Sequence, residues 1–235
     1  MAQSLSVRMT SFIDSVLRLE PMLTAFDCDG TLWSGDAGES FFAWEMDNGL
    51  VSDDIARWAR ARHADYKAGK VSEEVMCGEM VTLHKGLEEA VIQEATDRFF
   101  EDNLVSGIFP EMQELLHRLH DNGCEVWAVS SSNQWIIRSA MPHFKIPCER
   151  ILATEVRVIG GRVTDQLIRI PSGPGKPEAI QSVVKRVPDA TFGNSQWDRE
   201  MLAMSPHPFA INPTPDLEKI AHEQGWQVYF PEGTQ

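Results

Sequence analysis

The chain has 235 residues, of which 43% are hydrophobic, and a formal net charge of -14 at pH 7. This length and apolar content suit one α/β domain with an insertion, or two small domains. An acidic surface of this kind repels nucleic acids and anionic membranes, so we expect neither as a partner. It also repels phosphorylated substrates at long range, and any phosphate site must therefore concentrate positive charge locally.

The four cysteines are scattered, and no two of them form a C-x-x-C pair. Cysteines in apolar runs behave as small buried hydrophobes, so we expect reduced thiols, which fits the cytoplasm. The segment Val16-Leu17-Arg18-Leu19 is too broken for a signal peptide, and no stretch is long and apolar enough to span a bilayer. The sequence therefore predicts a cytoplasmic protein.

The first part of the chain predicts a helix and then a buried strand. Residues 8–20 have amphipathic helical spacing, which ends at Pro21. The apolar run 22–26 then meets the turn Asp27-Cys28-Asp29-Gly30-Thr31. A strand that leads into a polar turn with glycine is typical of a buried parallel strand and its C-terminal loop.

Residues 34–105 have a different pattern. Apolar residues recur there at helical spacing, with few strand signals. Glycines interrupt this pattern at Gly49, Gly69 and Gly86. The pattern predicts a separate bundle of about four helices, and the aromatic residues within 41–44 are interpreted as part of its core.

After Pro110 the sequence alternates between helical and strand patterns. The predicted helices cover 110–122, 133–141, 177–187, 198–204 and 215–224, and the predicted strands cover 124–129, 190–192, 209–211 and 227–230. Two further strands, 151–158 and 162–167, flank Gly160-Gly161 and predict a β-hairpin.

Repeated β–α units indicate a parallel sheet that is covered by helices. The predicted fold class is α/β, with a doubly wound, Rossmann-like parallel sheet. Residues 1–33 and 106–235 form this sheet domain, and residues 34–105 form a helical domain inserted after the first strand.

Polar side chains follow several predicted strands, at the edge where doubly wound sheets bind ligands. They are Asp27, Asp29 and Thr31, with the turn residue Gly30 among them, after the first strand, Ser130, Ser131 and Ser132 after the second, Lys176 in a glycine-containing loop, and Asn194 and Asp198 after a later strand. We expect these residues to converge on one edge of the sheet.

These residue types are the ones that phosphoryl transfer needs. An aspartate can attack phosphorus and form an aspartyl-phosphate, while a second carboxyl protonates the leaving oxygen and then deprotonates water. An oxygen-ligated Mg²⁺ offsets repulsion between the nucleophile and the phosphate. Lys176 and this metal ion would supply the local positive charge that an acidic protein requires.

Four segments, in order, resemble the motifs of the haloacid-dehalogenase-like hydrolase superfamily. They are 27–32 for motif I, 126–130 for motif II, Lys176 within 175–177 for motif III, and 193–198 for motif IV. The insertion and the segment 130–137 resemble the phosphoserine-phosphatase-like branch, in which the insertion is a cap domain. The resemblance implies a Mg²⁺-dependent phosphatase that acts on a small phosphorylated metabolite through an aspartyl-phosphate intermediate.

By this resemblance Asp27 is the nucleophile and a metal ligand. Asp29 is the general acid and base, and its backbone carbonyl binds the metal. Ser130 and Lys176 hold the phosphoryl oxygens. Gly30, Thr31 and Ser131 belong to the same substrate-binding set.

Motif IV, with Asn194 and Asp198, completes the Mg²⁺ shell by the same resemblance. Many relatives have aspartate at the position of Asn194. An amide oxygen still binds Mg²⁺ but carries no charge, so either the metal affinity is weaker or Asp198 carries more of the coordination.

The candidate residues also have ordinary structural interpretations. Asp27 and Asp29 suit a turn after a strand, and the serines 130–132 suit a helix N-cap. Lys176 suits a solvated loop. A turn or cap role for Asn194 and a helix N-terminal charge for Asp198 remain alternatives. The histidines show no metal-binding spacing and are interpreted as surface or packing residues.

Two other functions share the same motifs. One is a phosphotransferase with an acceptor other than water, and the other is a catalytically silent phosphate-binding module. A carbon–halogen dehalogenase is disfavoured, because that chemistry does not need the acid that Asp29 supplies. The sequence gives neither the natural substrate nor the oligomeric state.

The segment 34–39 leads from the catalytic turn into the insertion and contains two acids, Asp36 and Glu39. In phosphoserine-phosphatase-like enzymes an acid in this region holds the amino group of the substrate. Asp36 or Glu39 is therefore expected to bind a cationic amine by a charge-assisted hydrogen bond. A solvated acid or a helix N-terminal charge is the structural alternative, and a sugar phosphate or other neutral leaving group is the alternative substrate.

Overall fold

The computed structural model describes residues 6–232. Its strands are β1 Leu23–Phe26, β2 Glu125–Asn133, β3 Ile151–Ile159, β4 Arg162–Arg169, β5 Ala190–Gly193, β6 His207–Ile211 and β7 Gln227–Tyr229. Within the described range they form one seven-stranded sheet in the order β4-β3-β2-β1-β5-β6-β7. Neighbouring strands are parallel, except that β3 and β4 are antiparallel. The predicted α/β fold and its hairpin are confirmed.

The helices are α1 Val7–Leu17, α2 Ala37–Asp47, α3 Asp53–Lys67, α4 Glu73–Thr82, α5 Glu89–Asn103, α6 Pro110–Asp121, α7 Gln134–Ala140, α8 Gly175–Val183, α9 Arg199–Ala203 and α10 Pro215–Gln224. Helices α2–α5 follow β1 and precede α6, and we call them the inserted helices. Their number agrees with the prediction of about four.

Side-chain caps mark where three of the inserted helices, α2, α3 and α4, begin. The Asp36 carboxylate accepts a hydrogen bond of 2.7 Å from the backbone N–H of Glu39 at the start of α2. Ser52 and Ser72 accept equivalent bonds at the starts of α3 and α4. Such caps satisfy backbone donors that have no partner within the helix.

The predicted boundaries of two helices were wrong. The first helix ends at Leu17, not at residue 20, because Glu20 has φ +49° and leads into Pro21, which disfavours a helical conformation before it. The helix predicted over 177–187 begins earlier, at Gly175, and ends earlier, at Val183. Lys176 therefore lies in the first turn of α8 and not in a loop.

The inserted helices share a hydrophobic core with the sheet. Phe41 of α2 and Phe100 of α5 belong to the same buried cluster as Phe26 of β1 and Val126 of β2. Phe42 is buried in a second cluster within the insertion. The prediction of a bundle core is thus confirmed for Phe42, whereas Phe41 lies in the core shared with the sheet and Trp44 is only partly buried against that core.

Backbone hydrogen bonds join the β3–β4 hairpin to the loop between α4 and α5. Gly86 N–H donates to the Val163 carbonyl at 2.8 Å, Val163 N–H donates to Leu87 at 3.0 Å, and Glu89 N–H donates to Gly161 at 2.9 Å. The hairpin and this loop therefore form a short strand-like contact at one side of the insertion. Within residues 6–232, no helix is long and apolar enough to cross a membrane.

Candidate active site

Asp27, Lys176 and Asp198 meet at the carboxyl edge of the sheet, as the motif spacing predicts. The Lys176 Nζ donates to Asp27 Oδ1 at 2.7 Å and to Asp198 Oδ1 at 2.6 Å. It also donates to the Val129 carbonyl at 3.0 Å, at the end of the apolar part of β2. Lys176 is only 1% exposed, so it is not the solvated lysine of the alternative interpretation.

The charges of Lys176, Asp27 and Asp198 are close enough to shift the pKa values of Lys176 and Asp27. Burial opposes the charged form of Lys176, but Asp198 and Asp27 outweigh it and raise the lysine pKa above its ordinary value. Burial, together with the negative charge of Asp198, raises the pKa of Asp27 to about 6, although Lys176 opposes this shift. Asp27 is therefore ionised at neutral pH, as a nucleophile must be.

The turn after β1 fits closely around Asp27. The Thr31 hydroxyl donates to Asp27 Oδ2 at 2.7 Å. Gly30 has φ +72°, and a Cβ at this position would lie 1.9 Å from Asn194 Nδ2. Only glycine fits there, because both the backbone conformation and the Asn194 amide exclude a side chain. Gly30, Thr31 and Asn194 are thus brought to Asp27, as the sequence predicts.

Both carboxylate oxygens of Asp198 already have protein donors. Oδ1 binds Lys176, and Oδ2 accepts from the backbone N–H groups of Asn194 and Ser195, each at 2.9 Å. The Ser195 hydroxyl donates to the same Oδ2 at 3.2 Å. In this arrangement Asp198 anchors Lys176 and the loop after β5, and a direct metal contact would compete with these bonds.

Asp29 is held by donors from three elements. Its Oδ1 accepts from Trp33 Nε1 at 2.9 Å and from the Ala37 N–H at 2.6 Å. Its Oδ2 accepts from the Ser132 hydroxyl at 2.6 Å. Burial, and then the negative charge of Asp36, raises the pKa of Asp29 to about 8 against the effect of these hydrogen bonds. Asp29 therefore carries a proton at neutral pH, as a general acid requires.

The sequence did not identify Trp33 and Ser132 as partners of Asp29. Trp33 follows Asp29 by four residues in the same turn, and its indole is fully buried. Ser132 was noted only as part of a serine cluster. A buried tryptophan usually finds an acceptor for its N–H, and this rule is the signal that could have connected it to Asp29.

The serines 130–132 do not cap a helix, so that alternative was wrong. Asn133 is the N-cap of α7, and its Oδ1 accepts from the backbone N–H groups of Trp135 and Ile136 at 3.1 and 2.9 Å. Ser130 is buried beside the site, and its hydroxyl accepts from the Ser132 N–H at 3.1 Å. The Ser131 carbonyl accepts from Thr154 at 2.6 Å.

A cavity of about 60 Å³ lies between the inserted helices and the serines at the end of β2. It is lined by Asp36, Gly38, Glu39, His63, Tyr66, Glu73, Met76, Cys77, Met80, Ser131 and Ser132. The two acids that the sequence singled out thus face the same cavity as Ser132, the partner of Asp29. The sequence missed Tyr66 and Glu73, whose side chains hydrogen-bond to each other there.

Asp36 and Glu39 also have structural roles. Asp36 is the N-cap of α2. Glu39 forms an ion pair with Lys67 at 2.9 Å and lies 3.3 Å from His63 Nε2. Both acids therefore lie at the N-terminus of α2, as the structural alternative predicts, and they also line the cavity.

Among residues 6–232, no group of three or more His, Cys, Asp or Glu side chains is arranged to hold a metal ion. Side-chain oxygens beside the turn include those of the Asp27 carboxylate and of the Asn194 amide, which packs against Gly30. This donor chemistry fits a hard cation such as Mg²⁺, which prefers oxygen ligands. Asn194 contributes no charge, so the set is less anionic than one with two carboxylates at these places.

Comparison of the sequence with models of protein families finds a match that covers the candidate site. The model of the haloacid dehalogenase-like hydrolases matches residues 24–203, which is most of the chain. The chain belongs to the haloacid dehalogenase-like hydrolase family. The matched segment contains Asp27, Asp29, Lys176, Asn194 and Asp198.

Two related sequences are named as phosphatases. A histidinol-phosphatase of Neisseria meningitidis is 27% identical over 221 residues, covering 88% of this chain and 97% of the relative. A phosphoserine phosphatase of Mycobacterium tuberculosis is 24% identical over 220 residues, covering 86% of this chain and 68% of the relative.

Solved structures share the fold. A Bordetella pertussis protein of unknown function has a TM-score of 0.76 at 21% identity, covering 88% of this chain and 97% of its own. A probable phosphoserine phosphatase of Vibrio cholerae has a TM-score of 0.63 at 15% identity, covering 93% and 68%. At these identities the likeness establishes the α/β architecture of this hydrolase family.

Proposed function

We propose that this hydrolase is a Mg²⁺-dependent phosphomonoester phosphatase of a small metabolite, with Asp27 as its nucleophile. The observation that carries this proposal is the buried Lys176 Nζ, 2.7 Å from Asp27 Oδ1, at the strand edge where Asp29 follows two residues later. A cation beside an ionised carboxylate suits the attack of that carboxylate on a phosphate dianion. The phosphatase names of the two related sequences support the same reaction class.

Four side chains have distinct roles in the proposed reaction. Asp27 attacks phosphorus and becomes the aspartyl-phosphate, while Lys176 and Ser130 hold the phosphoryl oxygens. Because the Lys176 ammonium already donates to Asp27, Asp198 and the Val129 carbonyl, it has to exchange one of these acceptors for a phosphoryl oxygen. Asp29 gives its proton to the leaving oxygen in the first step, and it takes a proton from the attacking water in the second. The backbone N–H groups of the turn after Asp27 add further donors.

Mg²⁺ would be held by Asp27, by the backbone carbonyl of Asp29 and by Asn194. When bound, it supplies positive charge that lowers the repulsion between the nucleophile and the phosphate. Asp198 acts in this proposal mainly by holding Lys176, because its oxygens already accept four hydrogen bonds.

The first test is release of inorganic phosphate from an aryl phosphate, with Mg²⁺ and after exhaustive treatment with EDTA. We expect activity with Mg²⁺, loss of activity in EDTA and recovery when Mg²⁺ is restored. Full activity without the metal would refute the metal dependence. Product analysis separates a phosphatase from a phosphotransferase, because a phosphotransferase leaves the phosphoryl group on an added alcohol or amine acceptor.

We also propose that residues 34–105 form a cap domain that recognises the leaving group of the substrate, and that this leaving group carries a cationic amine. Asp36, Glu39 and Glu73 face the cavity beside Ser132, so it is rich in carboxylates. The names of the two related phosphatases specify histidinol phosphate and phosphoserine, which are alkyl phosphates with a primary amine on the leaving group.

The test compares phosphoserine and histidinol phosphate with glycerol phosphates, which carry no amine. We expect a higher kcat/KM for the amines in the wild type, and a smaller preference in Asp36→Ala and Glu39→Ala. Glu74→Ala is the matched control, since Glu74 lies on the exposed face of α4. If the wild type does not prefer the amines, or if neither variant reduces the preference, these acids do not read the substrate.

A further inference from the structure

The two carboxyl oxygens of Asp29 have chemically different partners. Oδ1 accepts from the indole N–H of Trp33 and from the backbone N–H of Ala37, at 2.9 and 2.6 Å. Neither group can accept a hydrogen bond at its nitrogen. While both bonds are in place, a proton on Oδ1 could not be donated to either partner.

The partner of Oδ2 is the hydroxyl of Ser132, at 2.6 Å. A hydroxyl both donates and accepts, so it bonds to Oδ2 whether or not this oxygen carries a proton. Asp29 has three hydrogen-bond partners here, and an acid that gives up and regains a proton needs a partner for both its protonated and its ionised form. Only Ser132 can bond to both forms. The hydrogen bonds thus assign the exchangeable proton to Oδ2.

The surroundings of Ser132 hold its hydroxyl in this place. Its backbone N–H donates to the Ser130 hydroxyl at 3.1 Å, and its side chain is 8% exposed. A Cβ on Gly38 of α2 would lie 2.4 Å from Ser132 Oγ, which is closer than any packing allows. The second residue of α2 therefore has to lack a side chain for the hydroxyl to keep its position. Ser132 also lines the cavity that is proposed to receive the leaving group.

We propose that Ser132 is a positioning residue, which holds Asp29 so that Oδ2, and not Oδ1, delivers the proton to the leaving group. This inference rests on the proposed function, in which Asp29 is the acid and the base. In the first step a bond forms between Asp27 and phosphorus, the bond to the leaving oxygen breaks, and the Oδ2 proton passes to that oxygen. In the second step a bond forms between the oxygen of water and phosphorus, the bond between Asp27 and phosphorus breaks, and one proton of the water passes to Oδ2, which leaves the Asp27 carboxylate and inorganic phosphate.

The test uses the dependence of the first step on the leaving group. Ser132→Ala removes the hydroxyl and keeps the backbone donor to Ser130. The readout is the first-turnover rate of leaving-group release, measured with p-nitrophenyl phosphate and with an alkyl phosphate. Nitrophenolate leaves without much help from an acid, whereas an alkoxide has to be protonated.

For Ser132→Ala we expect a rate that is roughly 10- to 100-fold lower with the alkyl phosphate and within about threefold of wild type with the aryl phosphate. A purely structural role would lower both rates by the same factor. Gly38→Ala is a second, independent variant, because its methyl group displaces the Ser132 hydroxyl without deleting it. We expect it to show the same dependence on the leaving group.

Ser182→Ala is the matched control, since Ser182 is exposed on α8 and its hydroxyl bonds only to the Ala179 carbonyl. Circular dichroism establishes that each variant is folded. Equal losses on both substrates in Ser132→Ala, or no loss on either, would overturn the inference and leave the proposed function standing. If the wild type releases no leaving group from either substrate, the proposed function has failed and this inference fails with it.

Discussion

At the scale of single residues, one ammonium group organises the site. Lys176 joins Asp27 to Asp198, and all three side chains are at least nine-tenths buried. Charges in such a place are costly unless they are paired, and removing one partner of a buried pair leaves an uncompensated charge. The cluster keeps Lys176 positive and directs it at Asp27, the proposed nucleophile, and it retains one net negative charge that the proposed Mg²⁺ would offset.

Asp27→Asn tests the nucleophile. The amide oxygen can still accept from Lys176 but cannot form an aspartyl-phosphate, so we expect kcat to fall by about 10³-fold or more. The pKa of folded Asp27 is about 6, above its ordinary value of 3.8, so its ionisation opposes folding at any pH above that range. The melting temperature measured in EDTA at neutral pH should therefore not fall.

The control for this variant is Asp121→Asn, which changes an exposed carboxylate at the end of α6. Near-normal turnover in Asp27→Asn would exclude a covalent intermediate on this residue. A loss of activity together with a large fall in the melting temperature would instead show that Asp27 is required for the fold.

Asn194→Asp tests whether Asn194 is the uncharged metal ligand that we propose. It adds a negative charge next to Asp27 and the turn, so we expect the Mg²⁺ concentration for half-maximal activity to fall by about 3- to 10-fold. The same shift should be seen in the Mg²⁺ dependence of the melting temperature, which does not require turnover. Asn122→Asp, in the exposed C-cap of α6, is the matched control. An unchanged Mg²⁺ dependence would place Asn194 outside the ligand set.

The sequence predicted which residues lie at the site better than it predicted their contacts. Motif order alone placed Asp27, Lys176 and Asp198 at one edge, because parallel strands end together. It could not show that Asp198 binds Lys176 through one oxygen and backbone N–H groups through the other. Nor could it connect Ser132 to Asp29, since that contact spans 103 positions and depends on how α2 packs on β2.

At the scale of elements, polar contacts join the inserted helices to the sheet and to one another, in addition to the shared core. The hairpin β3–β4 bonds to the α4–α5 loop through the backbone. Glu45 of α2 and His84, just after α4, form a buried hydrogen bond of 2.6 Å, and the two side chains are 1% and 0% exposed. The sequence interpreted His84 as a surface or packing residue. Nothing in the spacing of Glu45 and His84, 39 positions apart, indicates that they meet.

Glu45→Ala tests this pair. It leaves the buried Nε2 of His84 without its partner, while Nδ1 keeps the Val81 carbonyl, so we expect a loss of about 3 kcal/mol in the free energy of unfolding. Asp65→Ala is the matched control, because it breaks the Lys70–Asp65 pair, whose side chains are 69% and 42% exposed. Exposed pairs contribute only about 0–1 kcal/mol. Urea denaturation measures both variants, and equal losses would mean that burial of the Glu45–His84 bond adds nothing.

At the scale of the whole molecule, the negative net charge of the chain contrasts with the buried positive charge at the candidate site. The chain carries a net charge of -14, yet its buried lysine lies at the one edge where an anion has to bind. The alternation of strands and helices was enough to predict the sheet and the position of this edge. Helix ends were less predictable, because they depend on local features such as the φ of +49° at Glu20.

Cysteine reactivity tests the global packing. Cys28, Cys77 and Cys124 are buried, whereas Cys148 is exposed, and none of them forms a disulfide. Burial raises the pKa of the Cys28 and Cys77 thiols well above the ordinary range, and neighbouring carboxylates add to this effect. The reactive species is the thiolate, so these thiols should be inert in the folded protein.

With Ellman's reagent we therefore expect one fast-reacting thiol in the native protein and four in guanidinium chloride. Cys148→Ser should remove the fast phase and leave three thiols that react only at the rate of unfolding. Because Cys77 lies on α4 and lines the cavity, its protection also reports on whether the inserted helices stay packed around that cavity. Fast reaction of Cys77 without denaturant, identified by its loss in Cys77→Ser, would mean that these helices open in solution.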